Sequence, residues 1–198
     1  AFGSTSAATK QASADAAERD LAQRLHAGEG AVFQTAARRG VAATLLRPTL
    51  VYGAGRDATL TRIAGMARRW GVFVLPWDAH GLRQPVHVDD LADAALATCH
   101  AAAAAGQAYD LPGGETLAYD AMVARLLASL QPPARLLRVP APLFRGMLAL
   151  AGLPAGGLGP AALARMRQDL VFDDAPARRD LGYAPRPFAP TAAMFQPR

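Results

Sequence analysis

The sequence predicts an α/β protein built on a doubly wound parallel sheet, and three observations carry that prediction. Residues 41–51 are a near-continuous apolar run, the pattern of a strand buried on both faces of a parallel sheet. A helix signature precedes the run. Before the helix, Phe2-Gly3-Ser4-Thr5-Ser6 reads as the end of another strand. Strand, helix, strand is a βαβ unit, from which doubly wound folds are assembled.

Each element has a local reason. A polar loop, Ala7 to Ala14, leaves the first strand. Asp15 caps the helix, and Glu18 three residues on completes a capping-box pattern. Leu21, Leu25 and Val32 share one helical face. Arg38 and Arg39 suit the negative C-terminal end, where Gly40 stops the helix. Beyond the apolar strand, a short helix spans about Leu60 to Trp70, followed by an apolar segment, Val72 to Leu75, and a turn, residues 77–81. A strand over Arg83–Asp90 leads to a helix, Leu91 to Thr98, whose alanine tract continues to Ala104. Asp89 and Asp90 are placed to accept its free N–H groups. Tyr109 to Pro112 reads as a short strand and Gly113-Gly114 as a turn. Thr116 then opens a helix from Tyr119 to Leu130, with Met122, Leu126 and Leu130 spaced for burial. Pro-rich connectors bracket helices near Phe144–Gly152 and Ala161–Leu170.

Composition narrows the function. At 198 residues with 52% apolar content the chain can bury a good core. No apolar run reaches the roughly 18–20 uncharged residues of a membrane span, so no membrane partner is expected. One cysteine, Cys99, excludes an internal disulfide and a cysteine-clustered zinc site. It is expected as a small buried hydrophobe on a helix, and the location expected is the cytoplasm. The net charge of +5 could suggest nucleic acid. However, the arginines are scattered and Lys10 is the only lysine, whereas a nucleic-acid footprint is clustered.

Two segments carry a resemblance: Leu46-Arg47-Pro48-Thr49-Leu50-Val51-Tyr52-Gly53, and Leu82-Arg83-Gln84-Pro85-Val86-His87-Val88-Asp89-Asp90-Leu91. In this order and separation they resemble the second half of NAD-dependent epimerase/dehydratases, which are extended short-chain dehydrogenase/reductases. The tail Asp180-Leu181-Gly182-Tyr183-Ala184-Pro185 is similar to the family's closing segment. The resemblance implies the C-terminal portion of a Rossmann-type sheet with a small, mostly helical substrate lobe. Residues 1–52 would be a remnant of the NAD(P)-binding domain. Residues 53–198 would be mainly substrate lobe, with 82–104 returning to the sheet. It also implies NAD or NADP as cofactor, a nucleotide-sugar or related small molecule as partner, and a homodimer. The family's Gly-x-x-Gly-x-x-Gly turn is not in this sequence. The chain therefore reads as a C-terminal piece that binds a dinucleotide poorly by itself.

Nor does the sequence hold a Tyr-x-x-x-Lys pair, the family's proton relay. Counting back from Glu29, which resembles the family's acidic residue after that pair, the two positions fall on Leu21 and Leu25. Catalysis would then pass to Ser4, Thr5 and Ser6 at a strand end, with Lys10 as proton partner. The plainer alternatives are a polar strand exit and a solvated lysine. For the cofactor, the resemblance implies Arg47, Pro48, Thr49 and Tyr52. Arg47 lies inside a predicted buried strand and must be paired or line the site. For the substrate it implies Arg83, Gln84 and His87, with the Arg83 guanidinium suited to paired phosphate oxygens. A salt bridge at Arg83 and a hydrogen-bonded structural histidine at His87 are the alternatives. No metal site is expected, because Asp89 and Asp90 lack a third ligand at useful spacing. The function expected is a nucleotide-sugar epimerase/dehydratase-like oxidoreductase. The alternative is a catalytically silent binding or assembly protein of the same fold.

Overall fold

A computed structural model describes residues 1–55, 57, 59–150 and 160–195. The chain divides into two compact units, each assembled from three stretches of sequence.

The first unit comprises Ala1–Val51, Gln84–Glu115 and Val171–Phe188. Strand β1 (Leu45–Pro48) lies at its centre, and Phe2 bridges Leu46 in parallel, with Gly3 N–H donating to Leu46 O at 2.8 Å. On its other side β6 (Ala108–Leu111) runs parallel in the register Leu45↔Ala108 to Pro48↔Leu111. The crossover from the Phe2 segment is helix α2 (Ala16–Arg39). It begins as predicted, with the Asp15 carboxylate accepting from Ala17 N–H. It ends at Gly40, whose φ of 62° lets the chain reverse. Leu46, Tyr109 and Leu111 enter one core with Val86, with Leu91 and Ala94 of helix α4 (Val88–Thr98), and with Ala177 of helix α8 (Ala175–Leu181) and Tyr183. Strand alternation turns Arg47 and Asp110 to the other face.

The predicted βαβ order holds, but several boundaries move. The run 41–51 is not one buried strand. Val41 is exposed, and its N–H returns to Ala36 O in the helix-ending turn, so pairing begins only at Leu45. Strand β2 (Val51–Tyr52) resumes after a bend at Thr49–Leu50. The expected loop after Ser6 contains a single helical turn, α1 (Ser6–Thr9). Helix α4 starts three residues earlier than predicted, straight from β5 (Val86–His87), and its cap is His87, not an aspartate. It stops at Thr98, leaving Ala102–Ala104 as a 3-10 turn. Cys99 is exposed beyond that helix end, not buried. Leu21, Leu25 and Val32 are only half-buried.

The second unit comprises Tyr52–Arg83, Thr116–Leu170 and Ala189–Arg198. Helix α3 (Leu60–Trp70) feeds β3 (Val72–Pro76), which pairs in parallel with β8 (Arg135–Val139), a strand the sequence pattern does not announce. Strands β4 (Leu82–Arg83) and β7 (Leu117–Ala118) pair antiparallel. Helix α5 (Tyr119–Ser129) buries the predicted Met122 and Leu126, and Leu130 follows it into the core. Leu60, Ile63, Ala64 and Leu75 are buried in the same unit. Helices α6 (Ala141–Leu150) and α7 (Pro160–Arg167) complete it. The end predicted for α6, at Gly152, lies outside the described residues.

Candidate functional site

In the first unit, two parallel strands end side by side in hydroxyl-bearing residues. Ser4, Thr5 and Ser6 follow the Phe2 segment, and Thr49 follows β1. Thr5 joins them: its N–H and its Oγ1 both donate to Pro48 O, at 3.3 and 3.2 Å. Ser4 Oγ accepts from Ser6 N–H at 3.1 Å, fixing the turn into α1. Thr49 Oγ1 donates to Gln84 O, while Gln84 Oε1 accepts from Phe172 N–H at 2.8 Å. Ser4, Thr5, Ser6, Pro48, Thr49 and Gln84, named from the sequence for three separate roles, thus meet at one sheet end. Carboxyl ends of parallel strands are where open α/β sheets take their ligands.

Lys10 lies beyond α1, with its ammonium 3.8 Å from Glu18 Oε1. It is an ion-pair partner and not simply solvated. Arg47 is also paired. Its Nε and Nη2 hold both oxygens of the buried Glu29 at 2.7–3.2 Å. The hydrogen bond to Glu29 raises the guanidinium pKa and outweighs the opposing effect of burial. Gly3 makes room for the pair, since a Cβ there would meet Glu29 Oε1 at 2.5 Å. Asp110, beside Arg47 in register, titrates above the ordinary carboxylate range. Burial pushes it up, Arg47 pulls it down, and Glu29 and Asp173 add to the rise.

His87 is buried, and its Nδ1 accepts from Asp89 N–H at 3.2 Å, which caps α4. The cap frees Asp90 for another task. Its two oxygens accept from Arg186 N–H at 3.1 Å and from Arg186 Nε at 2.7 Å. Tyr183 Oη donates to Pro112 O at 2.7 Å, and Gly114 N–H donates to Arg186 O. Gly113 and Gly114 permit this close approach: a Cβ would sit 1.8 Å from Pro85 O or 2.2 Å from Pro185 O. The closing motif around Tyr183 is thus a latch. Arg186, one residue beyond the quoted tail, is its charged member, which the sequence reading missed.

Tyr52 and Arg83 belong to the second unit. Tyr52 is fully buried, and its Oη accepts from Ala189 N–H at 3.3 Å. Arg83 is also buried. Its Nη1 donates to Leu82 O and Gln168 O at 2.6 and 2.7 Å, and its Nη2 to Arg165 O. The guanidinium lies 5.3 Å over the Tyr119 ring. Its partners are carbonyls and a π-face, and burial pushes its pKa down. In the same unit Asp120 gathers Arg138, at 2.9 Å, and His80 Nδ1, at 3.3 Å.

Residues 20–111, just under half of the chain, match the NAD dependent epimerase/dehydratase family. No curated protein matches significantly. Among solved structures, the chain is similar to RMD from Pseudomonas aeruginosa complexed with NADPH (TM-score 0.62, 15% identity, 93% of this chain and 60% of that one). It is similar also to UDP-glucuronic acid 4-epimerase from Bacillus cereus in complex with NAD (TM-score 0.64, 14% identity, 93% and 55%). A third is UDP-glucose 4-epimerase from Thermotoga maritima (TM-score 0.58, 18% identity, 83% and 47%). The chain thus spans about half to three-fifths of these proteins, and at such identities the likeness establishes the fold alone. The resemblance carried by Leu46–Gly53 and Leu82–Leu91 holds: residues 20–111 match the NAD dependent epimerase/dehydratase family, and the chain has a partial Rossmann-type α/β fold.

Proposed function

We propose that the chain serves an NAD(P)-dependent epimerase/dehydratase acting on a nucleotide-linked sugar. The supporting observation is the sheet end where Ser4, Thr5 and Ser6 adjoin Pro48 and Thr49. Its hydroxyls and backbone groups suit the polar end of a cofactor and a sugar. The residues fit the nicotinamide side of NAD(P); the glycine turn for a pyrophosphate is not in this sequence. When bound, the cofactor supplies hydride exchange with a sugar carbon. Ser4 and Ser6 would orient the sugar hydroxyl, while Thr5 and Thr49 hold the two strand ends in place. Arg83 and Gln84 are proposed for the sugar-nucleotide diphosphate, and His87 for positioning helix α4, which it caps.

One observation favours the catalytically silent alternative. The only lysine, Lys10, is tied to Glu18. Amide chemical-shift mapping on isotope-labelled protein tests the proposal. A large excess of NAD, bound weakly without the glycine turn, should shift Ser4–Ser6 and Thr49, and a UDP-sugar should shift Arg83 and Gln84. Shifts confined to other segments, or none with either ligand, would overturn it. Shifts without turnover of the UDP-sugar in the presence of NAD would select the silent alternative.

A further inference from the structure

A groove of about 1010 Å³ opens in the first unit at the amino ends of β1 and β6. Ser4–Ser6 and Thr49 lie at the opposite, carboxyl end of these strands. Gly28, Val32, Thr35 and Arg39 of α2 line the groove, and their spacing puts them on one helical face. Residues 41–44, which lead into β1, and residues 98–102, at and beyond the end of α4, supply most of the remaining lining. Alanine dominates there, with Ala42, Ala43, Ala101 and Ala102. Gly28 keeps the α2 side open, since a Cβ on it would meet nothing within 4 Å.

The charge around this apolar lining has one sign. No Asp or Glu among the described residues lines the groove, whereas Arg39 and His100 do. Arg39 is exposed, and Arg38 leans on the lining, its Nη2 donating to Thr35 Oγ1 at 3.3 Å. Glu29, on the same helix, is buried and held by Arg47. Ala36 O and Ala37 O, near the end of α2, are taken by Val41 and Gly40 N–H.

From this juxtaposition we infer that the groove binds an amphiphilic carboxylate. Its head meets Arg39 and Arg38, and its aliphatic body lies along the alanine lining toward Gly28. Gly28 and Arg39 are eleven residues apart on α2, about 16 Å, which suits an acyl chain of roughly ten carbons. The volume stands at the top of the small-molecule range, about 300–1,000 Å³. A bare polyanion would leave the alanine lining unused, and a neutral hydrocarbon would leave the guanidiniums unmet.

Cys99, the single cysteine, is exposed and lines the groove, so its alkylation reports occupancy. In the 198-residue chain, decanoate should slow alkylation of Cys99 by iodoacetamide in a saturable way, whereas decyltrimethylammonium should not. Octanoate should protect about tenfold more weakly, the usual worth of two buried methylenes. Arg39→Gln should weaken decanoate protection about fivefold. Gly28→Leu fills the groove and should abolish protection while keeping or raising the melting temperature, because leucine favours a helix over glycine. Absence of protection by decanoate overturns the inference. Equal protection by decyltrimethylammonium also overturns it, marking a groove that reads apolar surface alone. So does protection that Gly28→Leu leaves intact, which places the ligand elsewhere. Ligand-free alkylation that speeds on dilution marks a second copy as the occupant, and contradicts the inference too.

Discussion

Arg47 lies within β1 and Arg83 at the end of β4, each in a different unit, and the molecule satisfies them in opposite ways. Arg47 meets a carboxylate, and the Glu29 hydrogen bonds raise its pKa. Arg83 meets three carbonyl oxygens and the face of Tyr119, and burial lowers its pKa. A carboxylate cancels a charge; carbonyls satisfy N–H groups and leave the charge in place. Arg47 is therefore a strut between α2 and the sheet, whereas Arg83 retains a positive charge that an added anion can neutralise. We propose that Arg47, paired with Glu29, serves chiefly stability, while Arg83 stays a proposal for the diphosphate.

The largest effect should come from Arg83→Ala, which leaves the carbonyls of Leu82, Arg165 and Gln168 without this donor and opens a void beside Tyr119. A loss of about 3 kcal/mol is expected in urea unfolding. A loss below about 1 kcal/mol would mean that these carbonyls find water readily and that Arg83 is not structurally engaged. Glu29→Ala should cost less, about 2 kcal/mol, because the Arg47 side chain is about a third exposed and water screens what remains. If Glu29→Leu combined with Arg47→Met restores most of that loss, the pair is a strut replaceable by packing.

The smallest effects distinguish two aspartates by sign. Asp110 titrates high in the first unit, chiefly through burial. Its contribution to stability is present below the ordinary carboxylate range and lost as pH rises through its raised pKa. Asp110→Asn should therefore stabilise at neutral pH, by under about 1 kcal/mol. Asp120 in the second unit is opposite. Burial pushes it up, but hydrogen bonds from Arg138 and His80 outweigh that and hold it low. Its contribution is present above about pH 4 and lost as pH falls through its depressed pKa. Asp120→Asn should destabilise at neutral pH by about 1 kcal/mol and flatten the acid limb of the melting profile. Thermal melts across the acid range check both signs.

Local chemistry made much of this fold legible. Asp15, Gly40 and the spacing of Met122 and Leu126 act within one helix, so their consequences stand in adjacent residues. The strand-end candidates were legible too, because hydroxyl residues after an apolar run mark where a parallel strand leaves the sheet. Long-range partners were not. Arg47 finds Glu29 eighteen residues away, Asp90 finds Arg186 ninety-six away, and nothing in either neighbourhood names the other. His87 is the helix cap because α4 begins at Val88, which places Asp89 and Asp90 inside its first turn. Strand β8 escaped notice because Arg135 and Arg138 break its apolar alternation.

Calorimetric titration with a UDP-sugar tests the contrast between the two arginines most directly. Wild type, Arg83→Lys and Arg47→Lys should be compared, each with its unfolding midpoint. Arg83→Lys is expected to weaken binding about tenfold or more, since one ammonium cannot both hold the Leu82, Gln168 and Arg165 carbonyls and keep its charge in the same place. Arg47→Lys should change binding by less than about twofold while lowering the unfolding midpoint. Equal losses in the two variants, or a larger loss at Arg47, would contradict the account and make Arg47 the ligand-bearing residue.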